Sequence, residues 1–161
     1  ILTHGKEIIN TSKLINNPKV KKTDYAYLLD WDDYNAPAAL HYMQQRGLKA
    51  SAAFKKFSAN TSEGIKDFNY GTVMIPVSKQ AKSSAAVFEI VSEARQKFKV
   101  PIFATNTGFS IRGIDLGSNN FRKINKVKAA MFIGNGVSSY EAGEVWHLLD
   151  TRTEIPITSQ T

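Results

Sequence analysis

The chain has 161 residues, 42% of them hydrophobic, enough to bury the core of one domain. It carries 21 basic and 14 acidic residues, a net charge of +7, and no cysteine, which excludes disulfides, thiolate metal ligands and a cysteine nucleophile. The basic residues are scattered and not set in an Arg-rich stripe, and no apolar run approaches the ~20 residues that span a bilayer, so neither a nucleic-acid partner nor a membrane is expected. No secretory leader is visible. The chain opens on Ile1 and not Met, as expected of a piece of a longer protein.

Residues 1–24 read as a polar lead-in. Ile8, Ile9, Leu14 and Ile15 suit a short helix stopped by Asn17-Pro18, and Lys19 to Lys22 suit solvent. An α/β domain is expected over 25–161. Tyr25 to Trp31 is the first strand pattern, and Asp32 to Asn35 the turn after it. Asp33 or Asn35 can cap the next helix, where Pro37 is tolerated in the first turn. That helix runs to about Arg46 with Ala36, Ala39, Leu40 and Met43 inward, and Gly47 ends it. A weaker strand pattern covers 48–57, and 60–67 reads as a polar connection anchored by Phe68.

Tyr70 to Val77 is apolar almost throughout, the mark of a strand covered on both faces. Pro76 should end it. Ser83 to Lys99 reads as a long helix with Val87, Ile90, Val91, Ala94 and Phe98 inward, followed by a strand at 100–105 and a glycine-bearing loop at 107–120. Val127 to Ile133 is a short buried-strand pattern broken by Gly134-Asn135-Gly136. Ser138 and Glu141 have the capping-box spacing. Ala142, Val145, Trp146 and Leu149 then form the apolar stripe of a helix packed on a sheet. A last strand is expected at 155–158.

Alternating strands and helices predict a three-layer αβα sandwich around a mainly parallel, flavodoxin-like sheet, with core strand order 2-1-3-4. A shift of 106 positions superposes Tyr34, Ala36, His41 and Arg46 on Tyr140, Ala142, His147 and Arg152, and aligns the two helix stripes. On that basis 25–126 can be one set of βα units and 127–161 the start of a second. A second unit cut short leaves apolar surface exposed, which favours a homodimer.

In a parallel sheet, ligands bind beyond the carboxyl ends of the strands. The turns expected there are 30–35, 78–80, 105–108 and 134–140. They nominate Asp30, Asp32, Asp33, Asn106, Ser138, Ser139, Tyr140 and Glu141 as ligand-binding residues. The three aspartates could hold Mg²⁺ through oxygen ligands and resemble the acidic pocket of phospho-acceptor receiver domains. Those domains need an acceptor Asp after the third strand, where this chain has Val77-Ser78-Lys79. The turn at 134–139 could bind an anion through backbone N–H groups, but it matches neither a Walker loop nor GxGxxG. His147 and Asp150 have no evident third ligand, and His4 and His41 stand alone. Ser78 lacks the flanking glycines of a nucleophile elbow.

Three stretches carry a resemblance: DWDDYNAPAALHYMQQRGLKA (30–50), GIDLGSNNF (113–121) and, most specifically, GNGVSSYEAGEVWHLLDTR (134–152). They resemble the region after the catalytic domain in bacterial zinc carboxypeptidase-family proteins, which is similar to class I glutamine amidotransferase-like folds. The catalytic residues of that family do not carry over. The His-x-x-Glu zinc pair is met here only by His147-Leu148-Leu149-Asp150, and the amidotransferase cysteine has no counterpart. The resemblance implies a non-catalytic accessory module with no cofactor of its own. It also implies that zinc is held in the parent's catalytic domain, that this domain and a peptide substrate are the partners, and that the location is extracytoplasmic.

Overall fold

The computed structural model describes residues 19–160. The helix expected around Ile8 to Ile15, and His4, lie outside the described residues. Along the chain come β1 (Ala26–Leu29), α1 (Ala36–Gln45), β2 (Ala50–Ala53), β3 (Phe57–Thr61), β4 (Gly64–Phe68), β5 (Val73–Pro76) and α2 (Ser84–Phe98). They are followed by β6 (Ile102–Thr105), β7 (Arg112–Gly113), β8 (Phe121–Ile124), β9 (Ala129–Phe132), α3 (Ser139–Trp146) with a π-helical extension over His147–Arg152, and β10 (Ile157–Gln160).

The main sheet has the order β6-β1-β5-β2-β8, and every neighbouring pair in it is antiparallel. This overturns the parallel αβα sandwich, in both its flavodoxin-like and its amidotransferase-like form. The βα alternation is real, but each helix joins strands one position apart, so two β-α-β units interleave. Strand β5 lies between β1 and β2, and β1 lies between β5 and β6. Strands joined by a helix remain parallel to each other while touching neighbours run the other way. This is the split β-α-β arrangement of ferredoxin-like sheets. Its second departure is the hairpin β3–β4, closed by Ser62-Glu63 and by Gly64 at φ +106, where a polar connection was expected.

Helices cover one face of the sheet. Ala36, Ala39, Leu40 and Met43 of α1 and Val87, Val91, Ala94 and Phe98 of α2 are buried with Tyr27, Leu29, Val73, Ile75 and Ile102. These are the expected stripes, except that Ile90 is only partly buried. The other face meets a three-stranded antiparallel sheet, β4-β3-β7. Phe57, Ala59 and Phe68 from that layer pack with Leu28, Met74 and Phe103 of the main sheet. The layers are therefore αββ. β5 is covered on both faces, as its unbroken apolar run requires, with Val73 and Ile75 on the helix side and Met74 on the other.

The hairpin also shields one edge of the main sheet. Ser62 N donates to the Ala104 carbonyl at 2.8 Å, and Thr105 Oγ1 to that of Asn60 at 2.9 Å. Beside this seam the buried Arg95 of α2 reaches Glu63 Oε1 at 3.2 Å and donates to the Ile102 carbonyl. The lead-in is not wholly solvated either. Val20 joins the helix-side core, and the buried Thr23 donates to the Thr105 carbonyl at 2.7 Å.

His41 on α1 is buried, with Nε2 2.7 Å from Gln45 Nε2. Burial, reinforced by Lys126 and opposed by Glu154, holds its pKa below the ordinary imidazole value. As pH falls the unfolded chain therefore takes up this proton first. The stability contributed by neutral His41 is present above about pH 6.5 and is lost as pH drops from there through the lowered folded-state value. The melting temperature is expected to fall across that window, and His41→Gln to flatten the slope. An unchanged slope in the variant would show that His41 does not contribute to it.

Residues 127–160 form a second, smaller arrangement. β9 and β10 pair in parallel, with Ile157 opposite Ala129, and α3 connects them. No side chain of α3 is buried, and Val145 and Trp146 of its expected core stripe are exposed. Ala142 and Leu149 are partly buried. Lys97 Nζ on α2 meets Glu154 Oε2 at 2.7 Å.

Candidate binding surface

The antiparallel sheet separates residues that a parallel sheet would gather. Leu29 pairs with Ile102 and Ala26 with Thr105. Asp30 therefore leaves one end of β1, while Asn106 lies beyond the other, roughly 17 Å of strand away. The turn at 78–80 shares the Asn106 end, because Val77 N donates to the Tyr25 carbonyl at 2.8 Å. Ser138, Ser139, Tyr140 and Glu141 belong to the β9-α3-β10 arrangement. The four turns do not converge.

At the first end the carboxylates are engaged within the fold. Asp30 Oδ2 pairs with Lys66 Nζ at 3.2 Å, and that ammonium lies 4.9 Å from the centre of the Phe103 ring. Asp32 Oδ2 accepts from Asn69 Nδ2 at 2.9 Å. Asp33 Oδ1 accepts from Asn35 N at 2.8 Å, the local turn that short acidic side chains favour. Asn35 sits at the N-cap of α1 but spends its side chain on the Phe98 carbonyl at 3.0 Å, tying the end of α2 to the start of α1. Ser138 caps α3 as its spacing predicts, accepting from Glu141 N at 3.4 Å. Tyr140 is 86% exposed there. Among the described residues no group of three or more His, Asp or Glu side chains is placed to hold a metal ion. No described helix is long and apolar enough to cross a membrane.

The other end carries a surface built on the glycine-bearing loop after β6. Asn106 Oδ1 lies 2.6 Å from Thr23 Oγ1. Tyr25 stands between two hollows, one lined by Lys22, Thr23, Asp24 and Asn106, the other by Gly108, Phe109, Asp115, Gly117 and Ser118. Gly108 makes this possible: a Cβ there would lie 1.9 Å from the Tyr25 hydroxyl. The loop from 106 to 120 is stapled by bonds of its own and by one to β3. Leu116 N donates to the Gly108 carbonyl at 2.9 Å, Ser110 N to Asp115 Oδ1 at 2.8 Å, and Ile111 N to the Ser58 carbonyl at 2.7 Å. Leu116 is buried beneath it. On this frame Phe109 is 79% exposed, beside the half-exposed Ile111 and Tyr25. The available signal was the apolar Phe109, Ile111 and Ile114 among turn-forming glycines, of which only Ile114 packs on the core.

No family model, curated protein or solved structure matches the chain.

Proposed function

We propose that the chain is a non-catalytic module that works by contact with a protein partner, through the surface around Tyr25 and Phe109. The observation that carries this is Phe109, held almost fully in solvent on a loop closed by its own hydrogen bonds. A rigid aromatic anchor loses little conformational entropy on docking, and such residues dominate binding energy at interfaces. The stretch 134–152 supports the catalytic domain of a zinc carboxypeptidase-like parent as that partner. Zinc in that domain and an extracytoplasmic location belong to the same proposal. The amidotransferase-like fold does not.

The test begins with the native protein. An antibody to this chain should recover an antigen several times heavier than 17.9 kDa, with zinc bound. A native mass near 17.9 kDa would overturn the accessory-module reading, and carboxypeptidase activity from this chain alone would overturn the non-catalytic one. If the antigen is larger, the remainder is expressed separately and titrated with this chain. Phe109→Ala should then raise Kd about tenfold, and an unchanged Kd would remove this surface from the interface.

A further inference from the structure

The strand edges of this molecule are treated unequally. A free edge presents unpaired N–H and C=O groups that another strand can take up, and proteins blunt such edges with charge or proline. The outer strand β8 of the main sheet carries Arg122 and Lys123. In the smaller sheet β4 carries Lys66 and Asp67, and β7 carries Arg112. β10 is polar over Thr158, Ser159 and Gln160. β9 is Ala129-Ala130-Met131-Phe132, with neither charge nor proline, and Phe132 is 75% exposed. Its paired edge is known. Ile133 N donates to the Gln160 carbonyl at 2.8 Å, so alternation turns Ala129 and Met131 towards β10 as well. The N–H and C=O groups of Ala130 and Phe132 therefore point to the open side.

A two-stranded sheet under one helix is marginal by itself, and this one leaves Val145, Trp146 and Leu148 exposed beside it. The first part of the chain shows how such a unit is completed. There the first strands of two β-α-β units, β1 and β5, lie side by side and antiparallel. Their helices pack against each other on one face, with Tyr42 against Phe98 at 5.6 Å and Tyr42 Oη donating to Glu93 Oε2 at 3.0 Å.

We propose that two copies of this chain form a two-fold dimer in which β9 of one lies antiparallel beside β9 of the other. The result is a four-stranded sheet of order β10-β9-β9-β10, with both α3 helices on one face. No existing ladder is broken. A helix bridging adjacent strands sits midway between them, so the two helices fall two strand spacings apart, about 9.6 Å. That is within the roughly 8–10 Å at which packed helices touch. The two-fold axis makes the helices antiparallel. It sets Glu141 and Glu144 of one towards the end of the other that carries both Asp150 and Arg152. The helix surface is thus complementary to itself through its exposed apolar side chains. This inference does not depend on the surface around Phe109.

Two proline variants and a cross-link test it on the full chain. In sedimentation the wild type should run at twice 17.9 kDa. Ala130→Pro removes an N–H from the open side of β9 and should give the monomer. Ser159→Pro removes one from the outer side of β10 and should leave the dimer. The chain has no cysteine, so Ala130→Cys supplies a unique thiol, which a short bis-maleimide should join in the dimer but not after dilution to monomer. A monomeric wild type at high concentration overturns the proposal, as does an Ala130→Pro dimer. If Ala130→Pro unfolds the unit, the cross-link decides: its absence in a dimeric preparation places the interface elsewhere and overturns the β9 pairing.

Discussion

Phe68→Ala is expected to lower the stability of the chain by about 3–5 kcal/mol, the cost of emptying a large aromatic site in a packed core. Phe68 ends β4 and is only 2% exposed. Its ring stacks on Phe57 at 5.0 Å and meets Phe103 edge-on at 5.9 Å. The first contact lies within the small sheet, and the second crosses to the main one. Removing the ring therefore weakens the interface between the two β layers, which has no helix to reinforce it. The Lys66 ammonium, 5.7 Å from the same ring, loses an aromatic face as well. Denaturant unfolding measures the change, with Phe68→Leu as a milder comparison costing less than half as much. A loss below about 1 kcal/mol for Phe68→Ala would mean that the layers collapse onto the vacancy, and that the aromatic group is not what joins them.

The second large effect is expected at Gly113. Its φ is +84, and a Cβ would stand 2.4 Å from the Lys56 carbonyl oxygen and 2.9 Å from Phe57 Cα. Both are backbone atoms, fixed by the pairing of Gly113 with Phe57 and of Arg112 with Ser58. Gly113→Ala meets the left-handed penalty of about 1–2 kcal/mol. Because a ladder cannot yield like a side chain, the clash adds a comparable amount, for a total of about 3 kcal/mol. The expected structural outcome is release of β7 from β3. Hydrogen exchange at the Ile111 amide, which donates to the Ser58 carbonyl, would report it. Gly117 lies in the same loop with nothing within 4 Å of its would-be Cβ, so Gly117→Ala should stay within about 0.5 kcal/mol. Equal effects at the two positions would show that general loop strain, and not the β3–β7 contact, governs the segment.

The candidate site was legible in its parts and not in its assembly. The capping role of Ser138 and the local turn at Asp33 follow from short-range chemistry of those residue types, whereas Asn106 is engaged by Thr23, far away in the chain. Their gathering at one end of the sheet rested entirely on the strands being parallel, and it fails because β1 and β6 run in opposite directions. The surface around Phe109 was illegible for another reason. Whether an apolar residue in a glycine-bearing loop is buried depends on what lies beneath it, and here Leu116 takes the buried place while Phe109 is left outside.

By itself the sequence determined the helices and the strands beside them, though not the hairpin β3–β4 or the short β7. Periodicity of 3.6 marked the inward faces of α1 and α2, which are buried except for the half-buried Ile90. The unbroken apolar run of β5 marked a strand covered on both sides. Proline, glycine and capping serines marked most boundaries, because those preferences act within a few residues. Only the tertiary structure decided which strands touch. The hairpin β3–β4 and the interleaving of two β-α-β units convert the same alternation of elements into an antiparallel sheet, and strand pairing across tens of residues has no local signature. It also decided that the α3 stripe, built like that of α1, lies open. The pattern of a helix states that one face is to be covered and carries no record of what covers it. That depends on the surface area the rest of the molecule can bring there, and in this chain α1 has a five-stranded sheet beneath it while α3 has two strands.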